Sequence, residues 1–255
     1  MRSRNSYELE LMRRGGEIAA SALKKALKAI KMGVSEIEVD KVAEKEIYKL
    51  GGDLSYKSVS GYKYATCVTV NEQVVHGIPT GRKFEEGDLV SVDLAVKFKG
   101  WHTDCAWSVL VDNGKLKIED REKKEKFLET GELALWEGIA QAVDGNTVGD
   151  ISYEIQSRVE GAGYSVVRSL VGHGIGKDLH EAPEIPGYGQ KGVGVRLKQG
   201  MTLAIEVIYT SGKGDVVLED DGWTFKTADG SWGAVFEMTV IVGKESSEVL
   251  TDYRL

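Results

Sequence analysis

Apolar residues near the start of the chain recur with a helical period. Leu11, Ile18, Ala22, Leu23, Ala26, Leu27 and Ile30 form one stripe across residues 7–32, and Gly33 closes it. The segment GVSEIEVDKVAEKEIYKLGG then predicts a second helix that opens with a capping box. Ser35 offers its hydroxyl, Glu38 reaches back three residues, and Gly51 and Gly52 end the helix. This punctuation returns. In GNTVGDISYEIQSRVEGAG (145–163), Gly145, Thr147 and Asp150 repeat the spacing of Gly33, Ser35 and Glu38, each 112 positions on. Gly163 likewise lies 112 after Gly51.

The β-prone segments repeat as well. GDLVSVDLAV (87–96) and GMTLAIEVIY (200–209) each run from a glycine through apolar residues to a carboxylate six positions later, Asp93 in one and Glu206 in the other. Each half then returns along a second strand that carries another acid: Asp104 in WHTDCAWSVLV and Glu237 in WGAVFEMTVIV. The pattern predicts an α+β protein of two halves, about 7–112 and 120–243, paired about a pseudo-twofold axis within a single domain spanning 1–255. No linker, low-complexity run or solenoid period interrupts it.

A carboxylate does not belong inside LVSVDLAVKF or MTLAIEVIY, where burial without a partner costs several kcal/mol. One such acid alone reads as a buried salt bridge or a strand-end residue. Four at matching places in two repeats predict a shared negative cluster, which repels itself unless divalent metal fills it. His173 in SLVGHGIGKDLHEAP, flanked by Gly172 and Gly174, supplies an imidazole where the backbone can approach closely. Four carboxylates and an imidazole make a hard donor set, enough for two ions, and favour Mn, Fe or Co over a thiolate zinc site. The chemistry this implies is metal-assisted hydrolysis. HEAPE lacks the second histidine of a zincin helix, and neither a dinucleotide fingerprint, a Walker lysine nor a GxSxG elbow is present.

Composition narrows the setting. The chain is 29% charged with a net charge of −7, yet residues 1–31 hold eight Lys/Arg against three Glu. The acidic remainder argues against a nucleic-acid substrate. Lys24, Lys25, Lys28 and Lys31 fall on helical spacings and read as a solvated face, with a ribosome contact as the other use of that charge. No signal peptide or membrane-length apolar run occurs, and Cys67 and Cys105 read as reduced thiols, so a cytoplasmic monomer is expected.

CVTVNEQVVHGIP (67–79), GDLVSVDLAVKFKGWHTD (87–104), GHGIGKDLHEAPEIP (172–186), GMTLAIE (200–206) and DGWTFKT (221–227) together resemble the methionine aminopeptidases, in their short bacterial type I form. The resemblance runs from about residue 7 to 243 and implies the pita-bread fold, with a central antiparallel sheet. It places two divalent ions (Mn, Fe or Co, with Zn or Ni as further options) on Asp93, Asp104, His173, Glu206 and Glu237. Asp93 would chelate one ion, His173 and Glu206 the other, and Asp104 and Glu237 would bridge them. Glu206 would also act as general base, while His76 would stabilise the reacting centre and His180 would contact the peptide carbonyl. Tyr62, Cys67, Leu179 and Trp223 match the methionine pocket, with Leu179 where an aromatic is common. The implied reaction removes the initiator methionine from nascent chains whose second residue is small. The alternatives are another specificity on the same fold, such as Xaa-Pro, or a binding module without catalysis. Three positions depart from the family pattern: Val207 replaces a proline, and Val235 and Met238 replace a glutamine and a histidine beside the last ligand, where polar neighbours would be lost. His102 has no counterpart and is expected at the surface.

Overall fold

A computed structural model describes residues 2–254. Helix α1 (Ser6–Ala29) starts one residue before the predicted stripe, because the Asn5 side chain accepts the Glu8 N–H at 3.0 Å while the Glu8 carboxylate accepts the Asn5 N–H. Its buried face is rotated slightly from the expected one. Met12, Gly15, Gly16, Ile18, Ala19, Ala22, Leu23 and Ala26 face inward, whereas Leu11, Leu27 and Ile30 lie half-buried along the edge. Gly16 is required there: a Cβ would lie 2.3 Å from the Leu250 carbonyl oxygen. Helix α2 (Glu36–Lys49) opens on the predicted box, with the Glu38 carboxylate accepting the Ser35 N–H at 2.9 Å.

Strands β1 (Asp53–Leu54), β2 (Thr66–Val70), β3 (Gln73–Val75), β4 (Leu89–Phe98) and β5 (Trp101–Leu110) complete the first half. The second half runs α3 (Ile118–Ala140), α4 (Val148–Gly161), β6 (Ser165–Val166), β7 (Val171–Gly174), β8 (Glu181–Pro186), β9 (Thr202–Thr210), β10 (Val216–Leu218), β11 (Phe225–Thr227), β12 (Gly233–Ile241) and β13 (Glu248–Val249). At α4 the Asp150 carboxylate accepts the Thr147 N–H at 2.7 Å, and Gly145 repeats the left-handed backbone of Gly33, with φ of +93° and +85°. The repeat therefore extends to backbone conformation. The strands predicted at 87–96 and 200–209 begin two residues later, because Gly87 and Gly200 also take positive φ and end the preceding turns.

The main sheet is antiparallel, in the order β1-β4-β5-β12-β9-β7-β8, with β2 on β4, β6 on β9 and β13 on β12. The β4–β5 pair of one half and the β9–β12 pair of the other meet at the β5–β12 seam. Helices α1 and α3 lie against these pairs, and α2 and α4 flank them. A strand alternates its side chains. Val92, Leu94, Cys105, Trp107, Ile205, Val207, Phe236 and Met238 join the core beneath the helices, and the residues between them face the other side.

That alternation corrects one expectation. Met238 is fully buried in the helix-side core, so its side chain does not neighbour the last ligand as a polar residue would, whereas Val235 lines the ligands' cavity; Val207 is buried in the same core, within β9 rather than at a strand end. A second correction concerns His102, which is 2% exposed rather than at the surface. It shares the face of Asp104 at the end of β5, where its Nδ1 lies 2.6 Å from Ser55 Oγ and its backbone N–H donates to the Gly176 carbonyl. Cys67 and Cys105 are free and buried. Lys25, Lys28 and Lys31 are exposed and Lys24 half-buried, with Lys25 paired to Glu46 of α2 at 2.8 Å. Among the described residues no helix is long and apolar enough to cross a membrane.

Gly16→Ala is expected to destabilise the protein by about 1–3 kcal/mol through overpacking against backbone that cannot swing aside. At about 2–4 °C per kcal/mol, thermal unfolding resolves this change. An unchanged midpoint would mean that the segment around Leu250 is not held against α1.

Candidate metal centre

Register and alternation bring the sequence-predicted acids together. Across the sheet, Asp93 of β4 stands opposite Ala106 of β5, Ala106 opposite Glu237 of β12, and Glu237 opposite Glu206 of β9. These positions form one rank on the face away from the helices. Asp104 lies two residues along β5 from Ala106, and His173 of β7 stands opposite Ala204, two residues from Glu206. All five line one cavity, together with His76, His180, Tyr62, Cys67, Leu179 and Trp223. Every residue expected at the site from the sequence is thus in the same place.

The tightest group is Asp104, His173 and Glu237, whose donor atoms all lie within 4.8 Å of one another. Asp93 and Glu206 line the cavity outside that group, both half-buried. The His173 ring is set by its Nδ1, which lies 2.9 Å from the Gly174 carbonyl. A proton on Nδ1 donated there leaves the Nε2 lone pair facing Glu237 Oε1, 4.0 Å away. Among the described residues that neutral imidazole is the only basic side chain within ion-pair distance of any of the four acids. Glu237 Oε1 is buried with no hydrogen-bond partner, a costly arrangement for an oxygen that nothing else is to satisfy.

The electrostatics agree with the geometry. Burial pushes the Asp93 carboxyl up to about 6, against hydrogen bonds with Tyr56 and Asp104 that pull it down. Burial and then the Asp93 charge push Glu206 up to about 8. Asp104 and Glu237 rise well above the carboxylate range, first through burial and then through the neighbouring acids. Burial lowers His173 to about 4 and lowers His76 and His180 as well, so the imidazoles are neutral. A neutral imidazole with a free Nε2, an orphaned carboxylate oxygen and four acids without a cation fit hard divalent ions.

Beside this cluster the cavity is apolar. Tyr62 packs edge-on against Trp223, with ring centroids 5.2 Å apart, and against Tyr56, at 5.7 Å. The Tyr62 hydroxyl donates to the Thr66 carbonyl at 2.8 Å, so its ring is fixed. Leu179 and His180 come from the loop after β7, and the His180 ring stands 4.5 Å from that of His173. His76 follows β3 at a φ of +59°, with its ring 5.9 Å from Phe225.

Three further residues line the cavity without having been expected there, Tyr56, Val59 and Val75, and so does Val235, which was expected beside the last ligand but not as a wall of the cavity. Val235 carries a usable signal, since it lies two residues before Glu237 on one strand. Tyr56 and Val59 carry none, because a 3-10 turn (Ser55–Ser58) rather than a periodic element delivers them.

A profile of metallopeptidase family M24 matches residues 10–244. The chain belongs to that family. Methionine aminopeptidase 1 of Bacillus subtilis is 43% identical over 244 residues, 96% of each chain. The methionine aminopeptidase of Clostridium perfringens is 40% identical over 97% of each. The crystal structure of methionine aminopeptidase from Thermotoga maritima superposes with a TM-score of 0.93 at 39% identity, covering 98% of this chain and 99% of that one. The prolidase of Pyrococcus furiosus, 23% identical with a TM-score of 0.74, shares the fold alone. The fold is the pita-bread fold of the family, and the M24 chain is a metal-dependent hydrolase.

A carboxyl whose pKa is raised by folding keeps its proton longer in the folded than in the unfolded chain. Its cluster therefore destabilises the chelated protein increasingly as pH rises from about 4.5 through about 8, the value for Glu206. Bound ions replace those protons. The gap in melting temperature between Mn-loaded and chelated protein is expected to widen from pH 5 to pH 8. A gap that stays constant across that range would contradict the acid cluster as the binding locus.

Proposed function

We propose that this chain removes N-terminal methionine from polypeptides, using two divalent ions held by Asp93, Asp104, His173, Glu206 and Glu237. The observation that carries this reading is the meeting, in one cavity, of a cation-free acid cluster and an apolar slot. Curated relatives named as methionine aminopeptidases, at 35–43% identity over nearly the whole chain, support the same activity. Asp93 would serve one ion and His173 the other, with Glu206 beside it, while Asp104 and Glu237 would lie between them. The oxygen-rich donor set favours Mn, Fe or Co, with Zn or Ni also accommodated.

Ions bound there supply Lewis acidity, lowering the pKa of water and polarising the peptide carbonyl. Glu206 takes the proton of the attacking water and returns it to the leaving amine. His180 and His76, kept neutral by burial, donate N–H hydrogen bonds to the carbonyl oxygen and the reacting centre. Tyr62, Cys67, Leu179 and Trp223 enclose the methionine side chain, whose burial contributes roughly 1.5–3 kcal/mol. A flexible, unbranched thioether fits a slot walled by fixed rings.

The whole chain would act as one catalytic domain, a cytoplasmic monomer working on nascent polypeptides with a small second residue. The exposed lysines of α1 leave a ribosome contact open to a salt-dependent binding assay. An Xaa-Pro specificity has no observation in its favour, since the relatives of that kind share only the fold.

The test is release of free amino acid from Met-Ala-Ser and Ala-Pro-Ser after chelation and re-addition of Mn, Fe or Co. Metal-dependent release of methionine alone is expected, and Glu206→Gln is expected to lower kcat at least about 10²-fold. Release from Ala-Pro-Ser instead would overturn the pocket assignment. No release from either peptide, with metal bound, would indicate a binding module.

A further inference from the structure

Tyr56 has no place in the reading drawn from the sequence, yet its hydroxyl reaches the candidate metal centre. Its phenol O–H donates to Asp93 Oδ1 at 2.5 Å. No other hydrogen bond of that hydroxyl occurs among the described residues. The ring is buried, and its edge packs against Tyr62 at an interplanar angle of 86°.

The turn that delivers it is anchored to the two strands bearing Asp93 and Asp104. Leu54 pairs with Val96 of β4, and Ser55 Oγ meets His102 Nδ1 of β5 within the core. The Ser58 hydroxyl closes the turn on the Ser55 carbonyl at 2.7 Å, and the Val59 N–H donates to the Tyr56 carbonyl at 2.9 Å. The buried His102 thereby acquires a use: it holds the turn, and the turn aims the phenol.

We propose that the Tyr56 hydroxyl is a positioning group that fixes the rotation of the Asp93 carboxylate for metal binding. The inference rests on the assignment of Asp93 as a ligand. The terminal torsion of an aspartate is soft, so an isolated carboxylate turns freely about it. Besides the hydrogen bond shared with Asp104, whose proton an ion would displace, the Tyr56 donor on Oδ1 fixes the plane of the group and leaves Oδ2 and the remaining lone pair of Oδ1 for that ion. The donor is also neutral. A lysine or arginine at that place would pair with Asp93 and repel the cation, whereas a phenol orients the carboxylate without adding charge. Groups that orient a ligand in this way typically account for 10–100-fold in metal affinity.

Calorimetric titration of MnCl2 into chelated wild type, Tyr56→Phe and Asp93→Asn tests this at one pH. Tyr56→Phe removes one oxygen and keeps the ring, so the packing against Tyr62 is retained. The expected result is that one of the two Mn ions binds about 10–100-fold more weakly in Tyr56→Phe, while the other changes little. The Mn concentration for half-maximal activity should rise in parallel, with kcat at saturating Mn largely recovered. Wild-type Mn affinity in Tyr56→Phe, with an ion lost in Asp93→Asn, would overturn the positioning role and leave the site assignment standing. Wild-type affinity in Asp93→Asn would remove Asp93 as a ligand, and the inference with it. Loss of kcat in Tyr56→Phe at saturating Mn with unchanged affinity would likewise overturn it, placing the hydroxyl on the substrate side.

Discussion

Four carboxylates share one face of one sheet, among the described residues no lysine or arginine pairs with them, and the site is built around that repulsion. Burial alone raises each of their pKa values, and their mutual charge raises Asp104, Glu206 and Glu237 further. A protein tolerates such a group only if the surroundings are rigid and something positive completes it. The rigidity comes from the sheet. Asp93, Glu237 and Glu206 occupy one cross-strand rank, so their spacing is set by backbone hydrogen bonding rather than by loops. The opposite face of the same strands is an apolar core under two helix pairs, which supports the rank from beneath.

Two halves of a similar plan build this site, and the site lies at their seam. The β5–β12 pairing joins the halves and carries Asp104 and Glu237, one from each. Neither half alone holds the donor set. The apolar slot is less symmetric: Tyr56, Val59, Tyr62 and Cys67 come from the first half, Leu179 and Trp223 from the second. Charge and apolar surface thus adjoin, which suits a reaction that must grip an uncharged side chain while acting on the peptide bond beside it.

Much of this was legible in the linear chain because the governing periods are short. A carboxylate six residues after a turn glycine, in an otherwise apolar strand, signals an acid with a purpose, and the second strand of each half repeats the signal. The capping boxes at Ser35 and Thr147 fix where two helices begin through contacts three residues apart. Two expectations failed for a common reason. His102 was expected at the surface, and Met238 in a polar position beside the last ligand, whereas strand parity and the layer above each strand decide otherwise. Adjacency in sequence along a strand means opposite faces in space.

The sequence by itself determined three of the four helices, the paired central strands, the internal repeat, the five candidate donors and the chemistry that such donors suit. These depend on residue type and on local spacing, which the chain carries whatever its partners. Only the tertiary structure decided which side chains share a face and which side of the sheet is covered by the helices. It alone revealed that Ser55 and His102 meet in the core and that the Tyr56 hydroxyl reaches Asp93. Those contacts join residues 47 and 37 positions apart through an irregular turn. No periodicity encodes such a turn, because its position follows from the packing of the strands on either side.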